Sequence, residues 1–302
     1  MNCIRNLKIN LVSNSRYLFR VYKFLNNNIK AYMLSREFKN YDEIIIKDRA
    51  AGFFSIYFQT LGALQICKIN KQNLVLSYDL APYYDKDKNL SEWWSNYFEK
   101  NKFIFNSKKE NYKTIVISDI NKLTQITYVG TELTRRAANK LICKNLISPY
   151  ICRLCDEFYN SYMIGKKLIG VHYRGTDKVM GPGRELERVP YEFVFKLLDQ
   201  CSREKFFFIA TDEEEFIQTA NIRYPGRVIF TNAQRSRDAY SVHLSKNAIS
   251  PFFLGLQALL DALLLSRCDF LYRCDSNLSL ASLFFNYKLK SINMTEQYLK
   301  SI

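Results

Sequence analysis

The stretch that decides the fold is "KLIGVHYRGTDK", Lys167–Lys178. After Lys167 it runs apolar over Leu168–Val171, as a strand buried on both faces must. It then gathers His172, Arg174, Asp177 and Lys178 around Gly175 and Thr176. A buried strand that ends abruptly in charge suggests a sheet edge where a ligand sits. Working outward, "PYEFVFKLLDQC" predicts a helix starting near Pro190, "KFFFIATD" (205–212) a strand and "EEEFIQTANIRY" a helix. "RVIF" follows as a strand, "PFFLGLQALLDALLLSRC" as a long buried helix, "DFLYRC" as a strand and "SNLSLASLFFN" as a helix. Apolar strands alternating with helices imply a parallel sheet covered on both faces, whose ligand lies outside the carboxyl ends of the strands. Those ends read "HYRGTDK", "ATDEE" and "DSNLS", so three polar segments converge on one edge.

The amino-terminal half carries the same punctuation. Phe54, Phe58, Leu61, Leu64 and Ile66 predict a helix over 53–69, followed by the strand "NLVLSYD"; "TIVISD" (114–119) is a further strand. Between them, "LAPYYDKDKNLSEWWSNYFEK" reads as a long loop with a short helix around Trp93 and Trp94, and 131–165 as one or two helices broken at Pro149. The 302 residues, about twice the usual domain length, therefore divide into an amino-terminal domain over 1–160 and a second domain over 161–302 that carries the three polar strand ends.

Composition narrows the partners. The chain carries a net charge of +15, but its basic residues are spread along it, and no aromatic-basic RNA motif, zinc-finger spacing or arginine-rich arm is present. Nucleic acid is not expected. The eight cysteines are irregularly spaced in apolar runs, the pattern of reduced thiols in a cytoplasmic protein. "CRLC" (152–155) is explained by two helix positions three apart. No apolar run reaches the roughly 18 residues of a membrane span. The first 36 residues hold seven basic side chains and no acidic one. A solvated basic helix, a transit segment and a peripheral contact with an anionic inner membrane face all fit that imbalance.

Several residue groups carry chemistry. Arg174 offers a planar fork suited to a diphosphate, in a loop where backbone amides can also surround an oxyanion. Ser276 and Asn277 stand at a helix start, as N-caps and as a place for a phosphate. Asp261 lies on an otherwise apolar helix and needs a cation or a hydrogen-bond donor. "DKD" (85–87) matches a two-aspartate metal pattern, but with a lysine inside it and another after it the segment reads as a solvated loop. No G-x-G-x-x-G, Walker A loop or G-x-S-x-G elbow occurs, and with only 10 glycines in the chain an arginine must do the work of a glycine-rich phosphate cradle. Tyr83, Tyr84, Trp93 and Trp94 are candidate sugar-stacking aromatics, although in a chain with 22 Phe and 21 Tyr such residues are more often core.

"GVHYRGTDKV", "FIATDEEEFIQTANIRYPGRVIF" and "LLDALLLSRCDFLYRCDSNLSLASLFFN", in that order and spacing, resemble the three blocks of the alpha-1,6-fucosyltransferase superfamily. The resemblance implies a B-type glycosyltransferase fold, two Rossmann-like domains facing a cleft. It also implies inverting transfer from GDP-fucose without a metal or other cofactor. On this resemblance Arg174 matches the diphosphate-binding arginine, His172 a histidine near the guanine, Asp261 an aspartate contacting the base, and Ser276 and Asn277 the phosphate-contacting pair. Asp212 and Lys178 join the nucleotide-sugar contacts. The sequence departs from the pattern in two places: the second arginine that follows the first is Gly175 here, and the position of the catalytic glutamate falls on Pro182. Glu185 or Glu187 would then act as the base, while the acceptor, a glycan or lipid-linked glycan, is left open.

Overall fold

A computed structural model describes residues 32–47, 51–77, 83, 93–99, 104–105, 111–117, 147–176, 187–236 and 250–302. The chain divides into two compact units, Met1–Leu146 and Ile147–Ile302. This division falls ahead of the expected boundary at 160. The helix Pro149–Phe158 belongs to the second unit, where Asp156 pairs with Arg267 and the Phe158 ring meets Phe208 edge-on at 6.2 Å.

The first unit contains a parallel sheet of four strands: β1 (Glu43–Lys47), β2 (Asn73–Ser77), β3 (Ile104–Phe105) and β4 (Thr114–Ile117), in the order β3-β2-β1-β4. Helix α1 (Phe53–Asn70) joins β1 to β2 and is buried on nearly all sides. It ends where Lys71 takes a left-handed conformation with φ 58° and donates its amide to the Cys67 carbonyl. Around α1 and α2 (Trp93–Tyr97) lies an aromatic core. Phe53 meets Tyr83 and Tyr97 edge-on at 5.4 and 4.9 Å, and Trp94 stacks on Tyr57. Tyr83 and Trp94, read above as sugar-stacking candidates, are thus core residues, 5% and 3% exposed. Tyr84 and the side chain of Trp93 lie outside the described residues.

The second unit begins with α3 (Pro149–Phe158), whose Pro149 sits in the first turn where its missing amide costs nothing, and a π-helical turn over Tyr159–Met163. Five parallel strands follow: β5 (Lys167–Tyr173), β6 (Lys205–Thr211), β7 (Val228–Ile229), β8 (Phe270–Arg273) and β9 (Lys290–Asn293), in the order β7-β6-β5-β8-β9. The crossovers are α4 (Tyr191–Asp199), α5 (Glu214–Arg223), α6 (Pro251–Leu265) and α7 (Asn277–Phe285), and α8 (Met294–Leu299) closes the chain. Counted within the unit the order is 3-2-1-4-5, so the direction of winding reverses between β5 and β8, the switch point where such sheets bind ligands.

Strand alternation sorts the two faces. Ile169, Val171 and Tyr173 of β5 and Phe207 and Ile209 of β6 pack with Val194, Phe195 and Leu198 of α4 and Phe216, Ile217 and Ala220 of α5. The opposite face lies under α6. There a Cβ on Gly170 would stand only 3.1 Å from Leu265 Cδ2 and 3.2 Å from Cys268 Sγ, so the missing side chain is what lets helix and strand approach.

Candidate functional site

Paired residues on parallel strands project to the same side of a sheet. Gly170 pairs with Leu271, and His172 with both Arg273 on β8 and Ala210 on β6. His172 and Arg273 therefore extend from the α6 face at the carboxyl end of the sheet, one on each side of the switch point. His172 is 3% exposed, and its Nδ1 makes no hydrogen bond among the described residues. Burial, reinforced by the nearby Arg174 and Arg273 guanidinium groups, lowers its pKa to about 3. A neutral imidazole thus stands between two cations.

The loop after β5 is fixed by one carboxylate. Asp212, just beyond β6, accepts from the Gly175 amide at 3.0 Å and from the Thr176 hydroxyl at 2.6 Å, and it pairs with Arg174 Nε at 3.0 Å. Asp212 therefore holds Arg174 by its Nε edge. The neighbouring Glu213 is buried, accepts from Arg188 at 2.8 Å, and lies against Gly175. A Cβ on Gly175 would fall 1.9 Å from Glu213 Oε2. Desolvation raises the Glu213 pKa. Tyr173 completes this corner by donating to the Val189 carbonyl at 2.9 Å and stacking on Phe216 at 4.2 Å.

Beyond β7 the chain runs beside 212–214, with Ser236 donating to the Asp212 carbonyl at 2.8 Å and accepting from the Glu214 amide at 3.0 Å. Helix α6 pins this segment. Asp261 accepts from the Thr231 hydroxyl at 2.7 Å, and Gln257 Oε1 from the Gln234 amide at 3.0 Å. Burial raises the Asp261 pKa to about 6, against the Thr231 hydrogen bond and the nearby Arg235, which both favour the carboxylate. Arg235 donates to the carbonyls of Thr231 and Ala233 and lies over the Phe230 ring.

On the other side of the switch point, β8 leads into α7. Ser276 caps that helix by accepting from the Leu278 amide at 3.3 Å, and Asn277 is its first residue. The positive end of the helix dipole therefore lies just beyond Arg273. Arg273 is mostly buried; among the described residues its Nε has no hydrogen-bond partner, and its Nη1 makes a long ion pair with Asp275 Oδ1 at 3.5 Å. Asp275 is otherwise engaged, accepting from Asn293 Nδ2 at 2.6 Å.

The fold thus brings together His172, Arg174, Asp212, Ser276 and Asn277 on the carboxyl edge of the sheet, with Asp261 fastening the segment after β7. Asp212 spends its carboxylate on the 174–176 loop. Glu187 is exposed, in the segment before α4. Lys178, Glu185 and the Asp-Lys-Asp segment at 85–87 lie outside the described residues. Sequence reasoning passed over Arg273, Glu213 and Arg188. The first had a legible signal, a basic residue closing an apolar strand as Arg174 does.

Two units, each with a parallel sheet covered by helices, are the makings of a B-type fold, and the solved structures similar to this chain share it. No family model matches the chain, and no curated protein matches it. Among solved structures it is similar to NodZ alpha-1,6-fucosyltransferase. The form soaked with GDP-fucose matches with a TM-score of 0.56 and 16% identity, over 81% of this chain and 92% of that one. The form co-crystallised with GDP matches with a TM-score of 0.52 and 14% identity, over 80% and 91%. The fucosyltransferase NodZ from Bradyrhizobium matches with a TM-score of 0.51 and 13% identity, over 80% and 92%.

Proposed function

We propose that the protein is a fucosyltransferase that moves fucose from GDP-fucose to a glycan hydroxyl, with inversion and without a metal. The observation that carries this reading is the convergence of Arg174, Arg273 and neutral His172 at the switch point beside the start of α7. Such a site suits a nucleoside diphosphate, and the solved structures of this fold include one soaked with GDP-fucose. As the bond between the anomeric carbon and the diphosphate oxygen breaks, negative charge grows on the leaving GDP. Preorganised guanidinium groups and the helix dipole stabilise that charge. The acceptor oxygen bonds to the anomeric carbon from the opposite face and gives its proton to a carboxylate, Glu185 or Glu187. His172, neutral through the physiological range, offers the base a hydrogen-bonding edge without adding charge.

Segment 1–36 supports a second element of the proposal, a peripheral contact with anionic lipid on a cytoplasmic membrane face, where a lipid-linked glycan acceptor would be presented. No helix among the described residues is long and apolar enough to cross a membrane.

A thermal-unfolding panel of GDP, UDP, CDP and their sugars, with and without EDTA, tests the donor assignment. GDP at 100 times its dissociation constant should add about 2.7 kcal/mol, unchanged by EDTA. Arg174→Ala should abolish GDP release from GDP-fucose and weaken GDP binding while leaving the far-UV spectrum intact. Wild-type GDP affinity in that variant would remove Arg174 from the site, and equal activity in Glu185→Gln and Glu187→Gln would remove the carboxylate base.

A further inference from the structure

The diphosphate clamp expected from the resemblance needs two adjacent arginines, and position 175 cannot supply the second. Gly175 lies against the buried carboxylate of Glu213, which the partly exposed Arg188 holds in place at 2.8 Å, so any side chain at 175 would have to displace that carboxylate. We propose that Arg273 supplies the missing guanidinium, so that the clamp is built across the switch point from β5 and β8 rather than from consecutive residues of one strand. This assignment rests on the nucleotide-diphosphate reading of the same site.

Four observations support it. Arg273 pairs in register with His172, two residues before Arg174, and so extends from the α6 face beside Arg174. Among the described residues its Nε is buried without a hydrogen-bond partner, and its ion pair with Asp275 is long, at 3.5 Å. Asp275 also accepts from Asn293, and Glu296, the other acidic group acting on Arg273 among the described residues, is bonded to Lys300. Beside Arg273, His172 keeps a buried Nδ1 without a hydrogen-bond partner among the described residues, and α7 begins at Asn277. Desolvation lowers the Arg273 pKa, the cost of holding a cation away from water, against the nearby Asp275 and Glu296, which raise it. A diphosphate between the two guanidinium groups would receive charge-assisted bonds from both sides.

The test uses the full chain, with inorganic pyrophosphate, guanosine and GDP titrated by calorimetry into wild type, Arg273→Met and Arg273→Lys. Arg273→Met keeps the apolar stem and removes the charge. It should weaken pyrophosphate and GDP about ten- to hundredfold while leaving guanosine unchanged, and Arg273→Lys should recover only part of the loss because an ammonium lacks the planar fork. Unchanged pyrophosphate affinity in Arg273→Met overturns the assignment. An equal loss of guanosine and pyrophosphate also overturns it, by showing a merely structural role. If Arg273→Met fails to fold, Arg273→Lys decides, and a wild-type pyrophosphate affinity there refutes the clamp. Arg273-dependent pyrophosphate binding in a protein indifferent to GDP would keep the clamp and sink the GDP-fucose reading; a wild type that binds neither sinks both.

Discussion

At the scale of single residues, Gly175 and Glu213 form one unit. Glu213 occupies the volume a side chain at 175 would need, with its carboxylate fixed by Arg188 and its backbone bridged to Ser236. Gly175→Ala should therefore cost about 1–3 kcal/mol, the usual penalty of overpacking. In a Glu213→Ala background the same change should cost much less. A double-mutant cycle by urea unfolding measures the coupling, and additive losses would contradict it. The resemblance put Gly175 where a second arginine would follow Arg174. It could not show why, because the residues that fix the loop are remote: Asp212, which accepts from the Gly175 amide, is 37 residues along the chain.

At the scale of elements, α6 serves as the clasp for the tail of β7, through Thr231 and Asp261. Thr231→Val leaves a buried carboxylate without its donor, at a cost of about 1–3 kcal/mol. The pH dependence follows from the direction of the shift. Asp261 has a folded pKa of about 6, above its ordinary 3.8, so its ionisation costs the fold nothing at low pH and destabilises it progressively as pH rises through that window. Losing the Thr231 bond raises the folded value further. Urea unfolding should therefore find Thr231→Val more costly at pH 8 than at pH 5, and the reverse order would contradict the assignment. Most elements were legible in the sequence. Helix α1 and the strands β2, β4, β5, β6, β7 and β8 fall where periodicity and apolar runs placed them. The omissions have two causes. β1 ("EIIIK"), as long as β2, carries an apolar run that the reading passed over, whereas β3 ("IF") and β9 ("KSIN") with α8 after it are short and offer no sustained apolar run. The aromatic loop residues misled because burial, which separates a core ring from a sugar platform, is a property of the folded neighbourhood: Tyr57 and Phe53, which cover Trp94 and Tyr83, come from α1.

At the scale of the whole molecule, the charge of +15 acts on association more than on the fold. An anion approaching this chain is steered by a field that salt screens over about 8–10 Å. On the proposed reading, stopped-flow binding of GDP should show an association rate that falls with ionic strength, while the dissociation rate, which that reading assigns to contacts with Arg174 and Arg273, changes little. A salt-independent association rate would confine the charge to solubility.

The pairing of β5 with β8 has a consequence in time as well as in space. Leu168 donates to the carboxylate of Asp269, 101 residues later, and Cys274 donates to the carbonyl of His172. A growing or refolding chain can pair β5, β6 and β7 from nearby sequence, but the second cation arrives only after α6 has crossed over and β8 has docked. Until then His172 has one guanidinium beside it instead of two. Anion affinity should accordingly appear as one of the last events of folding, a chemical marker that the crossover is complete.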